Sequence, residues 1–353
     1  MKLQQGWNLT EYLPYIYAER RWMPLKADTI TKDYVKDAGV FADIFNYYIY
    51  SGQQVILPEQ LTERDSTKIA LPYGADGAVV PVQKFRDVQK LYTTMTDGKM
   101  EYVLYGVENQ AEIHYAMAVK NNLYDALEYA GQVEEAAKSH RKEMKRRREQ
   151  GEISAEEGRK TPNTGEFLGG FWARDRLIPS ITVTIFFGSK EWDGPLSLFD
   201  MMEVSDPAVL ACMDNYRVRL IAPAQMTDDE IMKFQSSLRE VMLFIKYSND
   251  KENLNRVLAS NEKRFREVER RAADVIEVIT NSGIKYDKSE EVVDVCQAIQ
   301  EIRKESERDG ERQGRLMQAQ ESAEKLYEMG LDTEKIAQAV GYAVETVRGW
   351  LGL

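Results

Sequence analysis

Apolar positions recur at three- and four-residue spacing across residues 31–51, where Val35, Phe41, Ile44, Phe45, Tyr48 and Ile49 mark one helical face and Gly52 supplies a stop. A polar stretch over 58–66 and a Gly-, Asp- and Pro-rich loop over 71–81 follow. Residues 85–95 then read as a strand, Thr96-Asp97-Gly98-Lys99 carries an Asp-Gly turn signal, and residues 100–107 alternate as a returning strand does. The return ends in Glu108-Asn109-Gln110. A long helix is expected over 119–148, with Leu123, Leu127, Val133 and Ala137 on its apolar stripe. Residues up to Gly165 read as a mobile loop.

Further along, the run over 178–187 is continuously apolar and β-branched, the pattern of a buried strand ending at Gly188, and residues 216–221 form a second, shorter one. Thr227-Asp228-Asp229-Glu230 matches a capping box, and two or three helices fill 228–307. Gly310 and Gly314 break a polar stretch over 309–315 into an expected hinge before helices that end at Trp350 and Leu351. The first thirty residues are aromatic-rich without a period, as a surface extension would be. The expected division is therefore an extension over 1–30, an α/β core over 31–225, a helical region packing on it over 226–308, and a helical tail over 309–353.

Composition narrows the chemistry. A chain of 353 residues corresponds to about two domains at roughly 150 residues each. At 43% hydrophobic and 30% charged it can bury a sizeable core. Its apolar runs fall short of the roughly 18–20 residues of a membrane helix, and its first ten residues lack the apolar centre of a secretory leader. Two cysteines, Cys212 and Cys296, exclude a disulfide framework and a cysteine-rich zinc site, and they fit a reducing cytoplasm. Two histidines, His114 and His140, exclude a multi-histidine metal site within one chain, so carboxylates must hold any ion, which favours Mg²⁺ or Mn²⁺. A net charge of -11 argues against an all-over nucleic-acid coat and leaves room for a local basic patch.

The hairpin carries the acids. Asp87 and Glu108 stand about equally far from the Asp97-Gly98 turn, so they are expected at one end of the sheet, and Glu108 and Gln110 share a face. Such a pair can hold Mg²⁺ with waters and phosphate oxygens, lower the pKa of a bound water, and offset phosphodiester charge. Asp43, on the preceding helix, is a further acid within expected reach. The plainer reading of the same spacing is a solvated pair at two strand ends.

Glu108-Asn109-Gln110, Ile113-His114-Tyr115-Ala116-Met117 and Tyr124-Asp125-Ala126-Leu127-Glu128-Tyr129 together resemble the recombination-promoting nuclease (Rpn) and transposase-like family of the PD-(D/E)XK nuclease superfamily. Phe41-Ala42-Asp43-Ile44-Phe45-Asn46-Tyr47, Arg86-Asp87-Val88, Thr184-Ile185-Phe186-Phe187-Gly188 and Glu191-Trp192-Asp193-Gly194-Pro195-Leu196-Ser197 extend the resemblance to most of the chain from about residue 31. It implies a restriction-endonuclease-like α/β core, a mixed central sheet flanked by helices, with a helical C-terminal region. Asp87 matches the first catalytic acid, Glu108 the second, and Gln110 replaces the usual lysine. Gln110 has no charge and cannot exchange a proton near neutral pH, so a nearby cation, Lys120 or Lys90, is expected to supply it. Lys120 stands where relatives often carry arginine, and Tyr124 and Gln132 either line the cleft or serve helix packing. The implied activity is metal-dependent hydrolysis of DNA, linked to recombination or mobile elements, with Mg²⁺ first and Mn²⁺ or Ca²⁺ as alternatives. The competing expectation is a protein that keeps the fold and binds DNA or partners without cutting.

Lys138, Arg141, Lys142, Lys145, Arg146, Arg147 and Arg148, with Glu143 the one acid among them, form the expected phosphate-contacting surface. A solvated helix end favourable to the dipole is the other reading. In the tail, Ile336-Ala337, Gly341 and Val347 have helix-turn-helix spacing, with Asp332 or Thr333 as cap. Its second helix offers Glu345, Thr346 and Arg348, little charge for base readout, so packing or self-association stands beside DNA reading.

Overall fold

The structure, a computed structural model, describes residues 23–64, 67–70, 82–85, 87–96, 99–150 and 162–353. The readings for residues 1–22, the loop 71–81, the turn at Asp97-Gly98 and the loop 151–161 lie outside these residues.

Helices α1 (Met23–Val35) and α2 (Ala38–Tyr50) stand where one helix was expected. The break has a local cause. Asp37 takes an extended conformation and accepts hydrogen bonds from the Gly39 and Val40 backbone N–H groups at 2.8 and 3.2 Å, which starts α2 afresh. Residues 23–30, assigned from the sequence to the surface extension, are the first turns of α1. Helix α2 ends as expected. Ser51 and Gly52 both take positive φ, and a Cβ at Gly52 would lie 2.8 Å from Lys233 Cβ, so glycine is needed for both conformation and space.

Strand β1 (Leu61–Glu63) pairs antiparallel with β2 (Val88–Thr96), and β2 pairs antiparallel with β3 (Lys99–Gln110). The first hairpin strand thus begins at Val88 instead of Phe85. Val82–Phe85 pairs with Thr67–Ala70 in a separate two-stranded ribbon, and Asp87 falls at the break between the two. Helix α3 (Met117–Glu149) starts two residues earlier than expected and ends one residue later. After it, α4 (Thr164–Gly169) is a short helix closed by a reciprocal Asn163–Glu166 capping box. Strand β4 (Ser180–Phe186) lies parallel to β3, and β5 (Leu220–Ile221) lies parallel to β4. The second short strand is therefore only two residues long, because Arg217 bridges to Ser197 instead of continuing the sheet. The result is a mixed five-stranded sheet in the order β1-β2-β3-β4-β5 with flanking helices, an α/β arrangement.

The capping box at Thr227 forms as read, Thr227 accepting from the Glu230 N–H. The helical region is more fragmented than two or three helices. Its longer members are α5 (Leu238–Tyr247), α6 (Lys251–Ser260) and α7 (Arg270–Thr280). Helix α8 (Val295–Glu328) then runs unbroken through 309–315, so the expected hinge is helical. Two glycines cost a helix roughly 1 kcal/mol each, which one long run of i→i+4 bonds absorbs. Helices α9 (Thr333–Val340) and α10 (Val344–Leu351) close the tail. Among the described residues, no helix is long and apolar enough to cross a membrane.

The main core lies on one face of the sheet, where Val88, Tyr92, Tyr105, Val107, Val183 and Ile185 meet Phe41 and Phe45 of α2 and the apolar sides of α5 and α7. Helix α3 covers the other face.

Candidate functional site

The register of β2 and β3 pairs Val88 with Val107 and Thr96 with Lys99. Asp87, one step before Val88, therefore falls beside Glu108, one step after Val107. The expectation that the two acids share an end of the sheet is met. Asp87 Oδ2 accepts the Asn109 backbone N–H at 2.9 Å, which ties its carboxylate to β3. Glu108 sits opposite Thr184 of β4 and turns toward α3, as does Thr184, which accepts from Asn121 of α3 at 2.9 Å. The Glu108 residue is fully buried, at 0% exposure, while the Asp87 side chain keeps 19%.

Among the described residues two cations serve this pair. Lys120 Nζ, from the first turn of α3, lies 2.8 Å from Glu108 Oε2 and 5.8 Å from the Tyr124 ring centre. Lys32 Nζ, from α1, lies 3.9 Å from Asp87 Oδ1. Burial pushes the Asp87 carboxyl up from its usual range, against the Asn109 N–H and the Lys120 charge, which pull it down; Asp28 pushes it further up and Lys32 pulls it down. For Lys120, burial lowers the pKa, but Glu108, Tyr124 and Asp87 outweigh it and the net shift is upward. Lys120 is therefore an ammonium near neutral pH, suited to hold negative charge and unsuited to act as a base. Burial and Lys120 also lower His114, which favours its neutral form.

Other expected members are elsewhere or engaged. Asp43 is buried in α2, and its Oδ2 accepts the Gln235 and Ser236 N–H groups and the Ser236 hydroxyl at 2.9, 2.8 and 2.7 Å. It holds the chain leading into α5 and does not join the pair. Lys90, the other cation considered, points to the opposite face, where its Nζ donates to the Lys36 carbonyl at 2.7 Å. Gln132 clamps the backbone of Ile178 from both sides, accepting its N–H at 2.7 Å and donating to its carbonyl at 3.1 Å. That fixes the entry to β4 and matches the packing reading. Tyr124 is buried beneath Lys120, and Gln110 Nε2 donates to the Asn109 carbonyl at 2.7 Å.

Sequence reasoning missed Lys32 and Asp28, which lay in or beside the segment set apart as an extension. Their i, i+4 spacing was the available signal. It also missed Asn109, whose buried side-chain amide has no hydrogen-bond partner among the described residues.

A cavity of about 310 Å³ opens at the ends of β3 and β4, bounded by Ala111, Glu112, Ile113, Phe187, Lys190 and Ala27. Among the described residues no group of three His, Cys, Asp or Glu is placed to hold an ion. Asp87 and Glu108 supply two hard oxygen donors, which suits Mg²⁺ in the mode that keeps waters and substrate oxygens. The donor type suits such an ion, while Glu108 already holds Lys120 at 2.8 Å. A larger groove, about 660 Å³, lies over Lys90; its cations Lys36, Lys90, Arg270 and Arg271 stand 3.2, 3.8, 3.2 and 4.0 Å from Asp33, Glu63, Asp274 and Asp37, so it carries little net charge.

The basic cluster occupies the last three turns of α3. Lys138 pairs with Glu134 at 2.7 Å, Lys145 with Glu149 at 3.9 Å, and Arg146 and Arg147 with Glu143 at 2.9 and 2.8 Å. Arg141, Lys142 and Arg148 make no ion pair among the described residues. In the tail, Asp332 caps α9 by accepting the Lys335 N–H, Gly341 turns the chain at φ +73, and Ala323, Ile336, Ala337 and Val347 form a small buried cluster. The helix–turn–helix spacing is thus realised, packed on the end of α8. Arg348 lies 3.7 Å from Glu334 within it.

Compared with protein-family models, curated proteins and solved structures, the chain finds no match.

Proposed function

We propose that this protein is a metal-dependent DNA endonuclease of the Rpn type, built on a PD-(D/E)XK core and acting in the cytoplasm on substrates linked to recombination or mobile elements. The observation that carries the reading is the convergence of Asp87 and Glu108 at one end of an antiparallel pair, with the Lys120 ammonium within reach of both charges. Asp87 and Glu108 would hold the ion, Mg²⁺ first and Mn²⁺ or Ca²⁺ as alternatives. When bound, it supplies Lewis-acid polarisation and a water of lowered pKa. The chain's own residues do the rest. Lys120 offsets charge on the scissile phosphate, Gln110 hydrogen-bonds the attacking water through its amide, and the basic end of α3 contacts flanking phosphates. The C-terminal helices supply self-association.

A divalent-ion titration of plasmid nicking tests this. Nicking is expected only with a divalent ion, and Asp87→Ala or Glu108→Ala should each lower it by about a hundredfold or more. Nicking that survives either change refutes the assignment.

One observation favours a second reading, a nuclease-fold protein that binds DNA or partners without cutting. Glu108 is wholly buried and already matched by Lys120, a finished ion pair instead of an open ligand. DNA binding with no nicking in any ion would establish that reading.

A further inference from the structure

Beside the basic end of α3 lies a groove of about 390 Å³ that the acid pair does not use. Arg141, Lys145 and Arg148 form one wall, and Phe167 of α4 stands on the other. The volume is in the range of small-ligand sites, roughly 300–1,000 Å³. Phe167 is 72% exposed and its neighbour Leu168 is 78% exposed, an unusual placement for two large apolar side chains in sequence.

The wall that presents them is built to hold still. Asn163 and Glu166 cap α4 reciprocally at 2.9 Å each, and the other Glu166 oxygen accepts the Ala173 N–H at 2.9 Å. Among the described residues Glu166 is the one carboxylate lining the groove, and these bonds engage it and lower its pKa, so it faces its own backbone. Gly170 brings the wall against α3, since a Cβ there would lie 2.7 Å from Ala137 Cβ. The floor is aromatic and already stacked. Trp172 lies parallel to His140 with centroids 3.7 Å apart, and the Arg174 guanidinium is 4.7 Å from the Trp172 ring. Asp175 holds the His140 ring, 2.7 Å from its Nε2, and accepts the Trp172 backbone N–H at 2.7 Å, which fixes the chain that carries the indole.

Cations on one wall and an exposed aromatic ring on the other ask for a ligand that is anionic and flat-faced at once. Duplex DNA meets the first need, but its bases are stacked inside. A single strand meets both, since each nucleotide offers a phosphate and a free π-face. We propose that this groove is a single-strand subsite, with an unpaired base against Phe167 and its flanking phosphates on Arg141, Lys145 and Arg148. The inference deepens the nucleic-acid reading above by naming the substrate class, and it rests on that reading only for DNA as ligand.

The test is fluorescence anisotropy of the full chain in EDTA, which prevents cleavage, with a labelled oligothymidylate and a blunt duplex of equal phosphate count. The single strand should bind more tightly. Phe167→Ala should weaken single-strand binding about tenfold, as loss of one stacked base does, and leave duplex binding unchanged, while Phe167→Tyr restores it. Arg141→Gln with Lys145→Gln should weaken both probes and flatten the salt dependence. Thermal melts confirm that each variant folds. Equal binding of the two probes, or equal loss for both on Phe167→Ala, overturns the subsite and leaves the DNA reading standing. A Phe167→Ala variant with a lowered melting temperature and unchanged binding would mean that the chain itself fills the groove, and also overturns it. So would Phe167-dependent binding to phosphatidylglycerol vesicles with no single-strand preference. Single-strand preference without plasmid nicking would support the subsite and remove the cleavage assignment.

Discussion

The two faces of the central sheet are both buried, yet they are built from opposite materials. One face packs Val88, Tyr92, Tyr105, Val107, Val183 and Ile185 against Phe41 and Phe45. The other sets Gln89, Glu108, Thr182 and Thr184 against Asn121, Asp125, Glu128 and Gln132 of α3. Asp125 alone accepts from Ser180, Thr182 and the Tyr216 hydroxyl at 3.0, 2.9 and 2.6 Å. The apolar face is held by area and tolerates exchange among side chains of similar volume. The polar face is held by matched donors and acceptors, each of which leaves an orphan if its partner is removed. That second face holds α3 in one register against the sheet, and register is what brings Lys120 to Glu108.

The contrast can be broken at graded points. On the apolar face, Phe45→Ala should lower stability by about 4 kcal/mol in urea unfolding, the range for a large-to-small core change. On the polar face, Asp125→Ala should cost about 3 kcal/mol by stranding three hydroxyls, with Asp125→Asn recovering part of it. A cost near zero for Asp125→Ala would show that the polar face holds nothing. Gln132→Leu, nearly the same size, should cost about 2 kcal/mol because it orphans both the N–H and the carbonyl of Ile178.

The smallest effect has the opposite sign. The folded-state pKa of Asp87 is raised from its usual 3.8, so the folded protein prefers its neutral form. That contribution is fully present below the unfolded value and is lost as pH rises through the raised folded value. Asp87→Asn should therefore melt slightly above wild type at neutral pH, and the gap should close as pH falls toward 4. A melting temperature for Asp87→Asn below wild type at pH 7 would show that the charged carboxylate is a net stabiliser.

Elements with a short-range cause were legible in the sequence. The capping box at Thr227 and the pair α9–α10 form as read, and the β2–β3 hairpin, α3 and β4 appear with their ends shifted by up to three residues, since alternation, helical period, caps and a positive-φ glycine all act within a few residues. The break at Asp37 escaped because helical spacing persists across it while a single cap restarts the helix. The hinge over 309–315 was misread because glycine lowers helix propensity without forbidding helix. At the candidate site, Asp87, Glu108 and Lys120 were legible, whereas the engagement of Asp43 with Ser236 and of Gln132 with Ile178 was not.

The sequence by itself determined the order of elements, the hairpin that puts two acids at one end of a sheet, and the basic end of α3. Tertiary structure decided which polar groups answer each other: Asp125 meets Thr182 and Tyr216 from 57 and 91 positions away, and Asp43 meets Ser236 from 193. Caps and periods are written in neighbouring residues, so a chain displays them wherever it lies. A buried hydrogen bond needs a donor and an acceptor that only sheet register and helix packing bring within about 3 Å, and many acids and hydroxyls in the chain were equally eligible until they did.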